Sequence, residues 1–129
     1  MATILYIEDE EDMVELVKRN LERAGHLMVH ASSGEEGLRL AEGERPRLIL
    51  LDIGLGVDQL DGWEVNRRLK ANPTTSTVPV IALTAHTTRI ASRERALQEG
   101  FADHHNKPID FTKLLKNIDD LLAGSVKEG

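Results

Sequence analysis

The feature that most constrains the fold is a repeated alternation of short apolar stretches with segments of helical periodicity. Residues 48–51 are apolar at every position, as expected of a strand whose sheet is covered by helices on both faces. Further apolar stretches predict strands at residues 3–7, 27–31 and 78–83, and a short, unusually polar stretch predicts a fifth strand at residues 101–105. Each stretch is followed by apolar residues at helical spacing, so the chain consists of five strand and helix units in a row.

This order of units predicts an α/β fold, a doubly wound five-stranded parallel sheet with right-handed crossovers. The favoured arrangement is the flavodoxin-like strand order 2-1-3-4-5, in which ligands bind at the carboxyl ends of the strands. Ser33 is expected to cap the second helix, and the fourth helix is expected at residues 87–99. The length of 129 residues suits one domain, which we place at residues 1–124 with a short C-terminal tail at residues 125–129.

Composition excludes several classes of protein. The chain contains no cysteine, so disulfides and thiolate zinc sites are excluded. Its formal net charge of -6 at pH 7 argues against binding to the phosphate backbone of nucleic acid. No apolar run approaches the ~20 residues that cross a bilayer, and the N-terminus lacks the basic stretch of a secretion signal. We therefore expect a cytoplasmic protein that binds neither nucleic acid nor membrane.

Charged and hydroxyl side chains stand where the predicted strands end. They are Glu8, Asp9, Asp52, Thr84 and Lys107. The carboxyl ends of parallel strands meet at one edge of the sheet, so these side chains are expected to converge there. Carboxylate oxygens suit Mg2+, a carboxylate can act as a nucleophile, and an ammonium and a hydroxyl can hold a transferred phosphoryl group. The pattern predicts a magnesium-dependent phosphoryl-transfer site.

These spaced residues resemble the receiver domain of response regulators in two-component signalling, including the single-domain chemotaxis type. The resemblance is carried by the segments YIEDE, LILLDIG, ALTA and NKPID and extends to about Leu122. It implies that Asp52 is the phosphoacceptor, that Thr84 supplies a switch hydroxyl and that Lys107 contacts the phosphoryl group.

The same resemblance implies a magnesium ion and protein partners. The ion would be held by Asp9, by Asp52 and by the backbone carbonyl of Gly54, with Glu8 acting mainly through water. The phosphoryl group would come from a histidine kinase or a histidine phosphotransfer protein. The chain would catalyse only its own phosphorylation and slow dephosphorylation, so it would not be an enzyme in the usual sense. Its signal would reach a downstream protein through helix 4, strand 5 and helix 5.

The chain departs from the family pattern at two places. Gly56 stands where a proline is usual, and the pair Asp61 and Gly62 comes two residues late. We expect the extra length to bulge between residues 56 and 60, away from the metal. His104 stands where the family carries a Tyr or Phe ring that moves inward with the switch hydroxyl, so His104 is the candidate switch ring here.

Other functions share parts of this pattern. An aspartate-nucleophile phosphohydrolase of the haloacid dehalogenase type normally has a second Asp two residues after its nucleophile, where this chain has Gly54. A non-phosphorylated pseudo-receiver that only binds partners is expected to lack the acceptor or the lysine, and this chain has both. The acidic run at residues 8–12 also has a purely structural explanation, since negative charge stabilises a helix N-terminus.

Three histidines near the site raise the alternative of a transition-metal site: His86, His104 and His105. Neighbouring residues of a strand point to opposite faces, so His104 and His105 are not expected to bind one ion together. By the resemblance, Gly54 and His86 stand where water reaches the aspartyl phosphate. We expect a long-lived phosphate unless His86 acts as a base. Three basic residues are expected to form a solvated helix face, with partner docking as the alternative: Arg89, Arg93 and Arg95.

Overall fold

The computed structural model describes residues 2–54, 61–85 and 93–127. Its strands are β1 (Thr3–Ile7), β2 (Leu27–Ala31), β3 (Leu48–Asp52), β4 (Val80–Ala85) and β5 (Asp103–Lys107). Its helices are α1 (Glu11–Arg23), α2 (Gly34–Glu44), α3 (Gly62–Ala71), α4 (Arg93–Gln98) and α5 (Phe111–Lys127). All pairings are parallel, and the strands form one sheet in the order β2-β1-β3-β4-β5. The predicted α/β class and strand order are confirmed.

Strand β3 is the centre of the sheet and is buried along its whole length. It lies between β1 and β4, with Leu51 beside Ile7 and Asp52 beside Leu83. Side chains alternate between the two faces of a sheet, so Leu50 joins the apolar cluster with α1 and α5, whereas Leu51 joins the cluster with α2 and α3. Helices therefore cover both faces, and Asp52 stands where the chain leaves this core.

Side-chain hydrogen bonds determine where two of the helices begin. Ser33 caps α2 as predicted, because its hydroxyl accepts a hydrogen bond from the backbone N–H of Glu36 at 3.1 Å. Asp61 caps α3 in the same way, with its carboxylate accepting from the N–H of Glu64 at 2.8 Å. Each cap satisfies a backbone donor that the first turn of a helix leaves without a partner.

Strand β4 begins at Val80, two residues later than the apolar pattern predicts. Pro79 has no N–H to donate to a neighbouring strand. The N–H of Val78 instead closes a turn by donating to the carbonyl of Thr75 at 3.1 Å. The strand also ends later than predicted, at Ala85, so Thr84 lies inside it.

Strand β5 also begins later in the sequence than predicted, at Asp103 instead of residue 101. The N–H of Phe101 donates to the carbonyl of Ala96 at 3.0 Å, a bond that terminates α4. The Phe101 ring is buried in the core, so its apolar character serves the packing of this turn. Lys107 consequently ends β5 instead of following it.

Some predictions fall outside the described residues. The fourth helix was predicted at residues 87–99, and its described part is Arg93–Gln98. The bulge expected at residues 56–60 and the roles considered for His86 and Arg89 also concern residues outside the described ranges. The backbone of α5 is helical to Lys127. Within the described residues, no helix has both the length and the apolar character that a bilayer crossing requires.

Candidate functional site

Three strand ends carry site residues to one edge of the sheet. Glu8 follows β1, Asp52 ends β3 and Lys107 ends β5. By the alternation of side chains along each strand, all three continue the face that α1 and α5 cover. Strand β4 lies between β3 and β5, so the long Lys107 side chain reaches across its end. The structure thus brings together residues that are far apart in the chain.

Lys107 joins the two buried carboxylates. Its Nζ lies 2.8 Å from Glu8 Oε1 and 3.5 Å from Asp52 Oδ2. Glu8 is 1% exposed and Asp52 is 5% exposed, so water screens these charges little. One ammonium is therefore shared between two carboxylates. The cluster retains an excess of negative charge.

Tyr6 and His30 also hold Glu8, and neither was predicted from the sequence. The Tyr6 hydroxyl donates to Glu8 Oε1 at 2.8 Å, and the N–H of Glu10 approaches Oε2 at 3.4 Å. His30 Nε2 donates to the backbone carbonyl of Glu8 at 2.8 Å. Tyr6 could have been found by strand alternation, because it precedes Glu8 by two residues on β1. His30 required the parallel register, which places it beside Tyr6.

Asp52 has a strongly perturbed acidity. Burial, followed by the hydrogen bond and the negative charge of Glu8, raises the pKa of Asp52 to about 7 from an ordinary 3.8. The charge of Lys107 and the N–H of Gly54, which donates to Asp52 Oδ1 at 3.0 Å, oppose this shift. Since desolvation and a nearby like charge both disfavour the ionised form, a bound cation would restore the charge on Asp52.

The neighbouring groups keep their ordinary protonation states at neutral pH. Burial disfavours the charge on Glu8, but hydrogen bonds with Asp52, Lys107 and Tyr6 outweigh it and lower the pKa of Glu8. Burial likewise disfavours the charge on Lys107, but Glu8 and Asp52 raise the pKa of the ammonium. Burial raises the pKa of Tyr6, so the phenol keeps its proton. Asp52 is therefore the member of this coupled cluster that takes up a proton first as the pH falls.

The acidic side chains fit a hard cation. Glu8, Asp9 and Asp52 each offer a carboxylate oxygen, and these oxygens lie within 4.8 Å of one another. Asp9 is exposed, so an ion could reach the cluster from solvent. Mg2+ prefers oxygen ligands and usually takes only one or two protein carboxylates, with waters and phosphate oxygens completing its shell. The donor set therefore suits magnesium, and the ligand role of the Gly54 carbonyl stays a prediction.

Thr84 and two consecutive histidines lie on the neighbouring strands β4 and β5. Thr84 is buried and directly follows Leu83, the residue of β4 that pairs with Asp52. His104 lies beside Ala82 in the register, whereas His105 Nε2 contacts Asn117 Oδ1 of α5 at 2.8 Å. By strand alternation the two side chains leave opposite faces of the sheet, and the absence of a shared ion stays a prediction. The switch roles of Thr84 and His104 stay predictions.

The basic residues of α4 differ in environment. Arg93 is exposed, as predicted, and its Nε lies 3.2 Å from Asp103 Oδ1. Arg95 is half-buried, and its guanidinium lies 4.1 Å from the centre of the Trp63 ring. A cation placed over an indole is attracted by the ring quadrupole. The expectation of a solvated face is therefore wrong for Arg95.

Gly62 packs directly on the backbone of the acidic site. Its N–H donates to the Ile53 carbonyl at 3.2 Å. A Cβ at Gly62 would lie 2.5 Å from Ile53 Cα and 2.8 Å from the Asp52 carbonyl oxygen. Only a residue without a side chain allows α3 to begin this close to Asp52.

Comparison with known proteins identifies the family of this chain. A family model described as response regulator receiver domain matches residues 4–119. The chain is 33% identical over 124 residues to Protein PilH of Pseudomonas aeruginosa, covering 96% of this chain and 100% of PilH. It is 40% identical to the alkaline phosphatase synthesis transcriptional regulatory protein PhoP of Bacillus subtilis, covering 95% of this chain but only 49% of PhoP.

A solved structure agrees with these sequence relatives. The receiver domain of a sensor histidine kinase from Pseudomonas aeruginosa superposes with a TM-score of 0.84 at 30% identity, covering 95% of this chain and 98% of that one. That structure has a magnesium ion coordinated in its active site cleft.

Replacing Asp52 by Asn is expected to stabilise the protein in the absence of divalent cations. The pKa of Asp52 is about 7 in the folded chain and about 3.9 when unfolded, so the folded state binds more protons between these values. Stability therefore falls as the pH rises through this window. One pKa unit corresponds to about 1.4 kcal/mol, so Asp52→Asn should gain on the order of a few kcal/mol at about pH 8, and less near pH 5.

Urea unfolding in the presence of a chelator measures this difference. Asp120→Asn is the matched control, because it removes one carboxylate from an exposed ion pair with Lys116, and such pairs contribute at most about 1 kcal/mol. An Asp52→Asn variant no more stable than wild type at pH 8 would show that Asp52 carries no burial penalty.

Gly62→Ala is expected to lower the free energy of unfolding by about 1–3 kcal/mol, because the added methyl group overlaps backbone atoms of β3. Gly43→Ala in α2 is the control. A Cβ there meets nothing within 4 Å, so the better helix former should stabilise the chain by up to about 1 kcal/mol. Equal stability of Gly62→Ala and wild type would contradict the close packing of α3 on Asp52.

Proposed function

This chain belongs to the response regulator receiver domain family of two-component signalling, and from that premise we propose that Asp52 accepts a phosphoryl group in the presence of Mg2+. The donor is a phosphohistidine on a histidine kinase or a histidine phosphotransfer protein. Phosphorylation then changes the affinity of the chain for a downstream protein. We assign this activity to residues 1–124, although the backbone of α5 continues into the expected tail as far as Lys127.

The observation that carries the proposal is that Asp52 lies close to both Glu8 and Lys107. An isolated aspartate at the end of a strand has many possible uses. A buried aspartate with an ammonium 3.5 Å from Oδ2, and with two further carboxylates within reach of a common ion, has few. The arrangement supplies a nucleophile, a place for a divalent cation and a positive charge for phosphoryl oxygens.

Each residue has a distinct part in the reaction. One carboxylate oxygen of Asp52 attacks the phosphorus atom, the bond between phosphorus and the imidazole nitrogen breaks, and an aspartyl phosphate forms. Lys107 contacts the phosphoryl oxygens, and Asp9 and Asp52 would hold the ion together with the Gly54 carbonyl, while Glu8 acts mainly through water. A bound magnesium ion supplies charge neutralisation to the phosphoryl group during transfer. The magnesium ion in the related kinase receiver domain supports this assignment.

The signal is proposed to leave the site through Thr84 and the face formed by α4, β5 and α5. The Thr84 hydroxyl would turn toward the phosphoryl group, and the His104 ring of β5 would follow. Leu97 of α4 is 46% exposed, so this face offers an apolar side chain for a partner to cover. The chain acts as a signalling protein that catalyses only its own phosphorylation and slow dephosphorylation.

The rival function of a phosphohydrolase finds no support at the residue it needs. Such an enzyme requires an acid two residues after its nucleophile, and Gly54 has no side chain. A pseudo-receiver is distinguished by experiment, because it would not be phosphorylated at all.

Incubation with acetyl phosphate and Mg2+ is expected to add one phosphoryl group, seen by intact mass spectrometry. Asp52→Asn should abolish this addition, because the amide is not a nucleophile for phosphorus. Asp61→Asn is the control, since asparagine caps a helix as well as aspartate does and should leave labelling unchanged. Full labelling of Asp52→Asn would place the acceptor elsewhere, and an unlabelled wild type would favour the pseudo-receiver.

Thr84→Ala is expected to keep phosphorylation but to lose most of the conformational response, because the side chain that senses the phosphoryl group is removed. Trp63 is the only tryptophan and contacts Arg95 of α4, so its emission reports on that helix. Addition of beryllofluoride, a phosphoryl mimic, should change the emission of wild type and of the exposed control Thr74→Ala. A full change in Thr84→Ala would locate the switch at another residue.

A further inference from the structure

The buried side of the site contains a phenol that the proposed reaction does not use. Tyr6 is fully buried and lies on β1 between Leu50 and His30 of the flanking strands. Its hydroxyl donates to Glu8 Oε1 at 2.8 Å. The same oxygen accepts a hydrogen bond from Lys107 Nζ, also at 2.8 Å. A neutral donor and a charged donor thus share one carboxylate oxygen.

We propose that Tyr6 is a positioning residue of this site, whose hydroxyl keeps the Glu8 carboxylate in place when Lys107 turns from Glu8 to the phosphoryl group on Asp52. The inference rests on the proposed function, because it concerns the phosphorylated state. Tyr6 would act through Glu8, without contacting the phosphoryl group or the ion itself.

The argument begins with the two partners of Lys107. In the unmodified chain the ammonium is nearer to Glu8, at 2.8 Å, than to Asp52, at 3.5 Å. A phosphoryl group on Asp52 adds negatively charged oxygens to the carboxylate that is now the more distant partner of the ammonium. Lys107 is then drawn toward them, since a charge-assisted contact with a phosphoryl group is among the stronger hydrogen bonds in proteins.

Glu8 cannot compensate for this loss by turning to water. Its side chain is 1% exposed, and an ionised carboxylate buried without donors is strongly unfavourable. Asp52 can no longer donate to Glu8 once its carboxylate carries the phosphoryl group. Among the described residues, the remaining donor to the Glu8 side chain besides Tyr6 is then the N–H of Glu10, at a long 3.4 Å from Oε2. The phenol therefore becomes the main donor to Glu8 once Lys107 leaves. Without it, the carboxylate would retain Lys107 and weaken the hold on the phosphoryl group.

The test compares the binding of Mg2+ and of beryllofluoride by calorimetry in wild type, Tyr6→Phe and Thr75→Val. Tyr6→Phe removes the hydroxyl but keeps the ring. Thr75→Val is the matched control, because it removes another buried hydroxyl that donates to a carbonyl, at 2.6 Å from Leu69 O, away from the site. We expect Tyr6→Phe to weaken beryllofluoride binding about tenfold, or about 1.4 kcal/mol, and to weaken Mg2+ binding less. Thr75→Val should change neither.

A second pair of variants decides whether Tyr6 acts through Glu8. In the Glu8→Gln background the phenol no longer faces a carboxylate, so adding Tyr6→Phe should cause little further loss, as a double-mutant cycle resolves. The inference is overturned if wild type binds beryllofluoride and Tyr6→Phe binds it equally well, or if the loss persists in full in Glu8→Gln. A wild type that binds no beryllofluoride with Mg2+ would instead refute the proposed function.

Discussion

The structure depends on one unbalanced electrostatic arrangement: two buried carboxylates share a single ammonium. Lys107 lies 2.8 Å from Glu8 and 3.5 Å from Asp52, and neither acid can be solvated by water in this position. Burial and the charge of Glu8 accordingly raise the pKa of Asp52 to about 7. A site with excess buried negative charge is costly for folding and favourable for a divalent cation. The same charges therefore explain why the site would weaken the fold and why it would bind magnesium.

The rest of the fold holds this arrangement in place. The parallel sheet brings the ends of β1, β3 and β5 to one edge, which no local segment could do. Gly62 lets α3 begin against the Asp52 peptide, and Asp61 caps that helix. Tyr6 secures Glu8 from within the core. Packing, capping and polar contacts thus converge on the same few atoms.

The sequence alone predicts the architecture because each element is specified locally. The uniformly apolar β3 and the capping hydroxyl of Ser33 are strong signals of this kind. Strand limits fail where a tertiary contact overrides the apolar pattern: Phe101 is apolar because it packs in the core beside α4, not because it belongs to β5. Before β4, the sequence itself indicates the later start of the strand, because Pro79 has no N–H to donate to a neighbouring strand.

The site residues that stand at the ends of strands can be predicted from the sequence. The residues that hydrogen-bond to them and hold them in place are harder to predict. Positions 8, 52 and 107 follow from the topology, whereas the sharing of Lys107 needs side-chain distances. Tyr6 follows from alternation along β1 once Glu8 is suspected. The contact of Arg95 with Trp63 joins two helices and has no local signal. Long-range pairs of this kind become visible only in three dimensions.

The central claim, that excess negative charge at Asp52 awaits a cation, is tested most directly by unfolding the protein in urea at about pH 8 with increasing Mg2+. A ligand that binds only the folded state stabilises it by RT ln(1 + [L]/Kd). The account predicts that stability rises with Mg2+ in this way, well beyond the effect of sodium chloride at equal ionic strength, and that the rise is largely lost in Asp52→Asn. An Mg2+ effect no larger than that of sodium chloride, or one retained in full by Asp52→Asn, would contradict it.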